Sequence, residues 1–502
     1  MNPLSSFNVK DLSNRLRIKR GVQILLLLLV AVQALVFFNI PLMPLETDSA
    51  LYYMNVHYLI SGEYLTNSTY PSFHAPSQLY PVMGYSVVLL LCKGLGSVTH
   101  LSWALLVKFF QFGLYVASGV LLFKTVRLLS NACSATVSAF FFLAYYPLFN
   151  YANLVMSENY AIFLLLLFIF FFCSFLRSGR GWLLCAAFFF AGYSILVKPV
   201  YLVVCLMMLG VSLFPLLRQR VGPGIFLISL VCLAAAPLAQ AAVSKKLYGN
   251  YALRKGVGWN LWNSVIGWGG LVPKHSSNLK ILQKIFADHH EEVPLGGWWQ
   301  VTRELSRYGY DEAFTQEICL GVALDGIRER PVAYIKTALV HSLWVARTVT
   351  NPRYIHYSDV GDYCSRMKEF GLEKQHEPLT EQLLQQPDYR GFPGHAFWLK
   401  LNRFFYKIIG RMAHIIQSGF SMVFFFSWGI FIAVRLVRTR FDNHYLVLAF
   451  LWAAPFIIVL CSNLAECPSA RMVLPAIPLL IANLAMGLGA AGTGIQRLVT
   501  GK

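Results

Sequence analysis

Long apolar runs alternate with short polar segments along most of the chain. About 20 consecutive apolar residues cross a hydrocarbon core. Ten segments are long enough to be read as crossings: residues 22–43, 101–123, 132–150, 159–176, 181–196, 199–217, 224–243, 410–434, 445–462 and 471–491. Two further apolar stretches are too short to cross. Pro81–Leu95 suits a re-entrant or interfacial helix, and Pro331–Val345, with Lys336, His341 and Arg347 in or beside it, suits an amphipathic helix lying on the membrane. The pattern predicts an all-α polytopic membrane protein: about ten transmembrane helices, and two outer-face loops that carry interfacial helices.

Composition agrees. Of the 502 residues, 57% are hydrophobic and only 13% charged, with a mean hydropathy of +0.55, whereas a soluble domain carries about a quarter charged residues. Soluble domains, disorder, collagen and coiled coil are excluded. A net charge of +19 would suggest nucleic acid in a soluble protein. Here the basic residues cluster between apolar runs: five in Met1–Arg20, then Lys124 with Arg127, Arg177 with Arg180, Arg218 with Arg220, Arg435 with Arg438 and Arg440, and Arg497 with Lys502. If every cluster is cytoplasmic, these segments hold 16 basic residues against two acids, Asp11 and Asp442, which is the positive-inside pattern. No nucleic-acid partner is expected.

The organisation expected is a cytoplasmic N-terminus over 1–20 and a transmembrane core of seven spans over 21–243. That core includes a first outer loop at 44–100. A large outer-face loop or cap follows over 244–409, and C-terminal spans over 410–502. The first span is read as an anchor and not a cleaved signal, because its apolar core is too long and no small-x-small site follows. No internal repeat is found, which disfavours an inverted-repeat transporter. Seven of the 11 tryptophans fall between 259 and 398, as an interfacial belt or as sugar-stacking surfaces. Cysteines in or beside apolar runs read as small hydrophobes, and a Cys319–Cys364 disulfide is left open.

Sixteen of the 23 acids lie between Asp288 and Asp388, so each of the other seven carries weight. Asp48 opens an apolar-periodic segment directly after the first span. It reads equally as an N-cap and as a general base whose pKa is raised by Glu46. Glu158 sits at the outer end of a span, where acids are costly and mark sites. Its bland alternative is a first-turn acid behind a Ser157 cap. Lys198-Pro199 breaks an apolar run into a tight outer hairpin, and a lysine on that side asks for an anionic partner or snorkels. Arg471 begins a segment whose Pro475 and Pro478 prevent a regular first turn, and its planar donors suit phosphate. Asp48 is the catalytic candidate. Glu46, Tyr53, His57, His74, Tyr80, Tyr85, Glu158, Lys198, Arg254, Asn260 and Arg471 form the candidate donor-phosphate and substrate set. No metal-ligand spacing appears, and the cofactor is left unknown.

The order of these landmarks resembles GT-C-fold membrane glycosyltransferases, the protein O-mannosyltransferases and lipid A aminoarabinose transferases among them. The similar elements are Thr-Asp48-Ser-Ala-Leu-Tyr-Tyr with Tyr58-Leu-Ile-Ser-Gly62, Tyr80-Pro81-Val-Met-Gly84-Tyr85, Met-Ser157-Glu158, Val-Lys198-Pro199, Gly258-Trp-Asn260-Leu-Trp262 and Arg471-Met-Val-Leu-Pro475. The acid pair is Glu46-x-Asp48, not adjacent, and Ser86 stands where the second proline of the Pro-Gly-Tyr-Pro element would be. The resemblance implies an inverting transfer of sugar from a polyprenyl-phosphate donor to a lipid, glycan or protein on the periplasmic face of a bacterial inner membrane. It implies a divalent metal only in some branches. The expected partners are that donor and membrane lipids, and the protein is expected to be a monomer. The alternatives are a lipid-linked glycan flippase and an O-antigen-ligase-like transferase that uses a diphosphate donor.

Overall fold

The computed structural model describes residues 9–40, 52, 56, 60, 83–217, 221–248, 256–349, 395–439, 442–465 and 470–500. The first half forms α1 (Val9–Asn39), α2 (Gly84–Thr99), α3 (Trp103–Leu129), α4 (Ala132–Ala144), α5 (Tyr146–Ala152), α6 (Glu158–Ser178), α7 (Gly181–Ile195), α8 (Tyr201–Leu217) and α9 (Pro223–Tyr248). Shorter helices follow: α10 (Val257–Trp262), running into a π-turn over Asn263–Gly267, then α11 (Ser277–Asp288), α12 (Trp298–Arg307), α13 (Glu312–Glu329) and α14 (Pro331–Arg347). The last part holds α15 (His395–Ile409), α16 (Arg411–Ile416), α17 (Gly419–Arg438), α18 (Asn443–Ala465), a 3-10 segment Ala470–Ala476 and α19 (Ile477–Thr500).

Six helical stretches among the described residues are long and apolar enough to cross a membrane: Trp103–Leu129, Glu158–Ser178, Pro223–Lys246, Phe397–Arg438, Asn443–Leu464 and Val473–Thr493. A seventh is α4 with α5 if that pair, bent by 55°, is one span. The other three expected crossings coincide with shorter apolar helices, Gln23–Asn39, Gly181–Ile195 and Tyr201–Phe214. Among the described residues, length and composition thus mark six or seven candidate spans, and the count of ten suggested by the sequence pattern is not reached on that criterion. Helix α7 is short for a local reason, since Lys198-Pro199 stops it and the chain restarts as α8 within a few residues.

Prolines inside apolar helices leave carbonyls without their usual donor, and lipid supplies none. The chain provides each with a substitute or a close neighbour. Pro147 has no N–H to offer Leu143, the helix breaks between α4 and α5, and the Leu143 carbonyl instead accepts from Gln33 Nε2 at 2.7 Å and Tyr115 Oη at 2.6 Å. Pro455 deprives Leu451 in the same way, and Asn483 Nδ2 of α19 donates to that carbonyl at 2.9 Å. Pro237 frees the Leu233 carbonyl of α9, which lies so close to Gly192 of α7 that no side chain fits there. Gly192 thereby lets the backbones of α7 and α9 approach closely.

Two hydrophobic cores result. The larger is built by α1 to α8 and α15 to α19, with α6 near its centre. The smaller belongs to α10 to α13, where Trp262, Phe286, Leu305 and Val322 are fully buried. Trp259 and Trp298 stack there with ring centroids 4.5 Å apart. Asp325 accepts from Ser276 Oγ at 2.6 Å and Asn278 Nδ2 at 3.1 Å, while Glu329 accepts from the backbone N–H groups of Lys274 and His275 at 2.8 and 2.7 Å. Cys319 is a free thiol in this core, its pKa pushed up to about 12 by burial; Cys364 lies outside the described residues. The small core sits on the end of α18. Ser264 Oγ donates to Asn463 O at 2.7 Å, and Tyr334 Oη donates to Leu464 O.

The short apolar stretch at Pro81–Leu95 becomes α2, which folds back onto α3. Pro331–Val345 becomes α14. Its Ala338, Ser342 and Val345 are buried, and it packs on α18 and the 3-10 segment, while Val332, Ile335, Val340 and Trp344 face outward. One face of that helix is therefore protein-bound, and the outward side is apolar apart from the exposed Lys336 and Arg347.

Candidate active site

The bundle has chemically distinct ends. Arg127, Arg177 and Arg180 lie where α3 and α6 end and α7 begins, with Arg177 Nη1 donating to Leu128 O at 2.7 Å. A pocket at this end is lined by Phe175, Arg177, Ser178, Val221 and Asn443. At the other end meet the last residues of α1, the first of α2 and α6, the α7–α8 turn and the end of α18.

At that second end Lys198 Nζ lies 3.1 Å from Glu158 Oε1, with the carboxylate side chain 1% and the amine side chain 14% exposed. The α7–α8 hairpin brings them together: Lys198 follows the last turn of α7, and Glu158 is the first residue of α6. Lys198 thus has a partner within the chain. An ion pair withdrawn from water needs further hydrogen bonds to be held, and the surroundings are polar and aromatic. Ser157 does not cap α6; its Oγ accepts instead from Tyr52 Oη at 2.7 Å. The capping alternative therefore does not hold, and the Ser157 hydroxyl serves instead as an acceptor for a buried tyrosine hydroxyl.

Tyr85 is fully buried beside this group, its ring 4.9 Å from Tyr52 and 6.4 Å from Tyr160. Gln111 of α3 donates to Tyr85 Oη at 2.6 Å and to the Met156 carbonyl at 2.9 Å, so it ties α2 to the loop before Glu158. Gly84 N–H donates to Leu196 O at 2.9 Å, and Tyr193 Oη donates to Gly84 O at 3.0 Å. These bonds seat α2 on the α7–α8 turn. Residues from the first loop, α2, α3, α6 and the α7–α8 turn therefore converge.

Lys108 and Gln111 were not singled out as site residues from sequence. Lys108 is buried in α3, where its Nζ donates to the Ile40 carbonyl at the end of α1 and sits 5.2 Å and 5.8 Å from the Phe37 and Phe38 ring centres. An amine five residues into an apolar helix was the available signal. The backbone of Arg471 lies in the 3-10 segment, which packs on α6, α14, α18 and α19, in keeping with the irregular start expected from Pro475 and Pro478. Asn260 is half-buried on α10, which packs on α13 and α18. Glu46, Asp48, Tyr53, His57, His74, Tyr80 and Arg254 lie outside the described residues. Among the described residues, no group of three or more His, Cys, Asp or Glu side chains is placed to hold a metal.

No family model matches the sequence, and no curated protein matches it. Solved structures do. One is the archaeal oligosaccharyltransferase AglB from Archaeoglobus fulgidus in complex with an inhibitory peptide and a dolichol-phosphate, at 13% identity and a TM-score of 0.41, covering 94% of this chain and 51% of that one. Another is the Archaeoglobus fulgidus oligosaccharyltransferase complex with Zn and sulfate, at 12% identity and a TM-score of 0.41, covering 93% and 49%. A third is ArnT from Cupriavidus metallidurans bound to undecaprenyl phosphate, at 13% identity and a TM-score of 0.33, covering 93% and 79%. The chain spans about half the length of the archaeal proteins. The protein is an all-α, multi-pass integral membrane protein.

Proposed function

We propose that this chain is an integral-membrane glycosyltransferase that moves a sugar from a polyprenyl-phosphate donor to an acceptor on the outer face of the membrane. One observation supports it most. Segments that carry separate sequence landmarks converge at one end of the bundle: Tyr52, four residues after Asp48, holds Ser157; Glu158 follows and pairs with Lys198; and Tyr85 packs on Tyr52.

In this reading the acceptor hydroxyl attacks the anomeric carbon opposite the phosphate. A new carbon–oxygen bond forms as the carbon–phosphate-oxygen bond breaks, which inverts the centre. Asp48 takes the acceptor proton or orients the hydroxyl, and Lys198 and Arg471 stabilise the negative charge that the departing lipid phosphate carries. The lipid tail stays in the bilayer, so the site opens sideways between the spans and the cap. Glu158 holds the Lys198 ammonium at the membrane boundary until phosphate shares it.

The test is transfer from polyprenyl monophosphate and diphosphate sugars by the purified, reconstituted protein. Transfer from the monophosphate and not the diphosphate supports the reading. Movement of the lipid without transfer would make the protein a flippase, and use of the diphosphate would make it ligase-like. General base catalysis contributes roughly 10²–10⁴-fold, so Asp48→Asn should stay folded and lose transfer on that scale. Wild-type transfer by that variant would remove Asp48 from the mechanism.

A further inference from the structure

Helices α15 and α16 carry a second chemical feature, independent of the donor site. Their inward side is buried against the bundle through Leu399, Asn402, Ala413 and Ile416. Their outward side is divided lengthwise. Lys400, Lys407, Arg411 and His414 are all exposed, and at 100° per residue they fall within an arc of about 60°. Beside them runs an apolar row, Phe397, Phe404, Ile408 and Ile415, exposed by 59%, 55%, 55% and 55%.

Two observations say what covers this face. Asn402 accepts from Tyr146 Oη at 2.5 Å and donates to Asn150 at 3.2 Å, which places α15 against α5, at the end of the bundle opposite Arg127 and Arg177. Basic residues are ordinarily depleted on that side of a positive-inside protein. Moreover, no acid occurs between Asp388 and Asp442, so no carboxylate from the neighbouring sequence neutralises the row. A basic strip alongside an apolar strip on one helix face matches a phosphate layer alongside acyl chains.

We propose that this face of α15 and α16 binds the phosphate headgroups of anionic lipids in the adjoining leaflet. Lys400, Lys407 and Arg411 meet the phosphates, and the Phe404 row enters the acyl region. The helix pair is held at a fixed depth beside the bundle by this contact.

The experiment uses the full chain in nanodiscs containing phosphatidylglycerol or phosphatidylcholine with a photoreactive headgroup, and maps the cross-linked peptides. Phosphatidylglycerol should label residues 397–420 several-fold more than phosphatidylcholine. The K400Q/K407Q/R411Q variant should bring that several-fold preference close to parity, and K400R/K407R/R411K should retain it. Labelling around Arg435 and Arg438, at the opposite end, is the internal reference for a folded, inserted protein. If the triple variant loses that reference as well, single Lys407→Gln with a salt titration reads the same effect. Equal labelling by the two lipids, or labelling of 397–420 unchanged in the glutamine variants, overturns the proposal. So does displacement by inorganic phosphate beyond that by chloride at equal ionic strength, which would make the row a free-phosphate site.

Discussion

Lys198 reaches Glu158 across forty residues of sequence, nitrogen to oxygen at 3.1 Å. Removing one member of a buried pair strands the other charge, at a cost of roughly 3–5 kcal/mol. Replacing both by uncharged side chains of similar size avoids that cost. Lys198→Ala is therefore expected to lower the unfolding free energy in detergent substantially. E158Q/K198M should recover most of the loss while remaining inactive in transfer. A double variant as unstable as Lys198→Ala would mean that the two residues do not act as a unit.

Gly84 has no room for a side chain. A Cβ there would sit 2.5 Å from the Leu196 carbonyl oxygen, whereas one at Gly94 in the same helix meets nothing within 4 Å. Gly84→Ala should destabilise by about 1–3 kcal/mol through overpacking and shift α2 off the α7–α8 turn. Gly94→Ala should be neutral or stabilising by up to about 1 kcal/mol through helix propensity. Thermal melts of the two variants side by side decide the matter.

Asn483 supplies Leu451 with the donor that Pro455 cannot. Asn483→Leu leaves a buried carbonyl unmet and should cost roughly 1–3 kcal/mol. In a Pro455→Ala background the helix can bond that carbonyl itself, so the same substitution should cost less. Equal penalties in the two backgrounds, measured by denaturant unfolding, would reject the compensation.

The small core has an acid-sensitive seam. The Ser276 hydroxyl bonded to Asp325, with help from Asn278 and Arg328, holds that carboxyl below its usual range, and the backbone donors of Lys274 and His275 do the same for Glu329. Both pKa values are lowered on folding, so their contribution is fully present above the unfolded carboxylate range, near pH 4. It is lost as pH falls through the lowered folded values. Hydrogen exchange of residues 271–279 should stay slow from pH 7 to about 5, after correction for intrinsic rates, and quicken below about 4. Asp325→Asn should remove much of that dependence. Exchange that is flat with pH would show that the carboxylates do not hold the loop.

Much of the membrane architecture is legible in the sequence, because apolar length and basic flanks act through the bilayer, one helix at a time. Glu158 and Lys198 were each recognisable as charges out of place, for the same reason. Their pairing was not. It depends on how tightly the hairpin at Pro199 closes and on which turn of α6 faces it, both of which are settled by packing. The Ser157 cap was a natural alternative because its position favours one, while the Tyr52 hydroxyl that claims it arrives from more than a hundred residues away. The fold of α10 to α13 was opaque, since short helices with ordinary periodicity do not announce their neighbours. Gln33, Tyr115 and Asn483 make sense only once the carbonyls freed by Pro147 and Pro455 are located.

The α4–α5 bend is held by residues from the far end of the chain. Tyr145 Oη donates to Gln417, 272 residues later, and Gln417 donates in turn to the carbonyls of Ala346 and Thr348. Tyr146 Oη likewise donates to Asn402, 256 residues later. A ribosome still synthesising the cap has therefore released α4 and α5 into the membrane with the Tyr145 hydroxyl awaiting a partner not yet made. The N-terminal helices can insert in order, but this corner reaches its final packing only after translation has passed residue 417. Chains truncated before residue 395 should accordingly insert yet stay loose around Tyr145, a liability that makes late assembly the step most exposed to quality control.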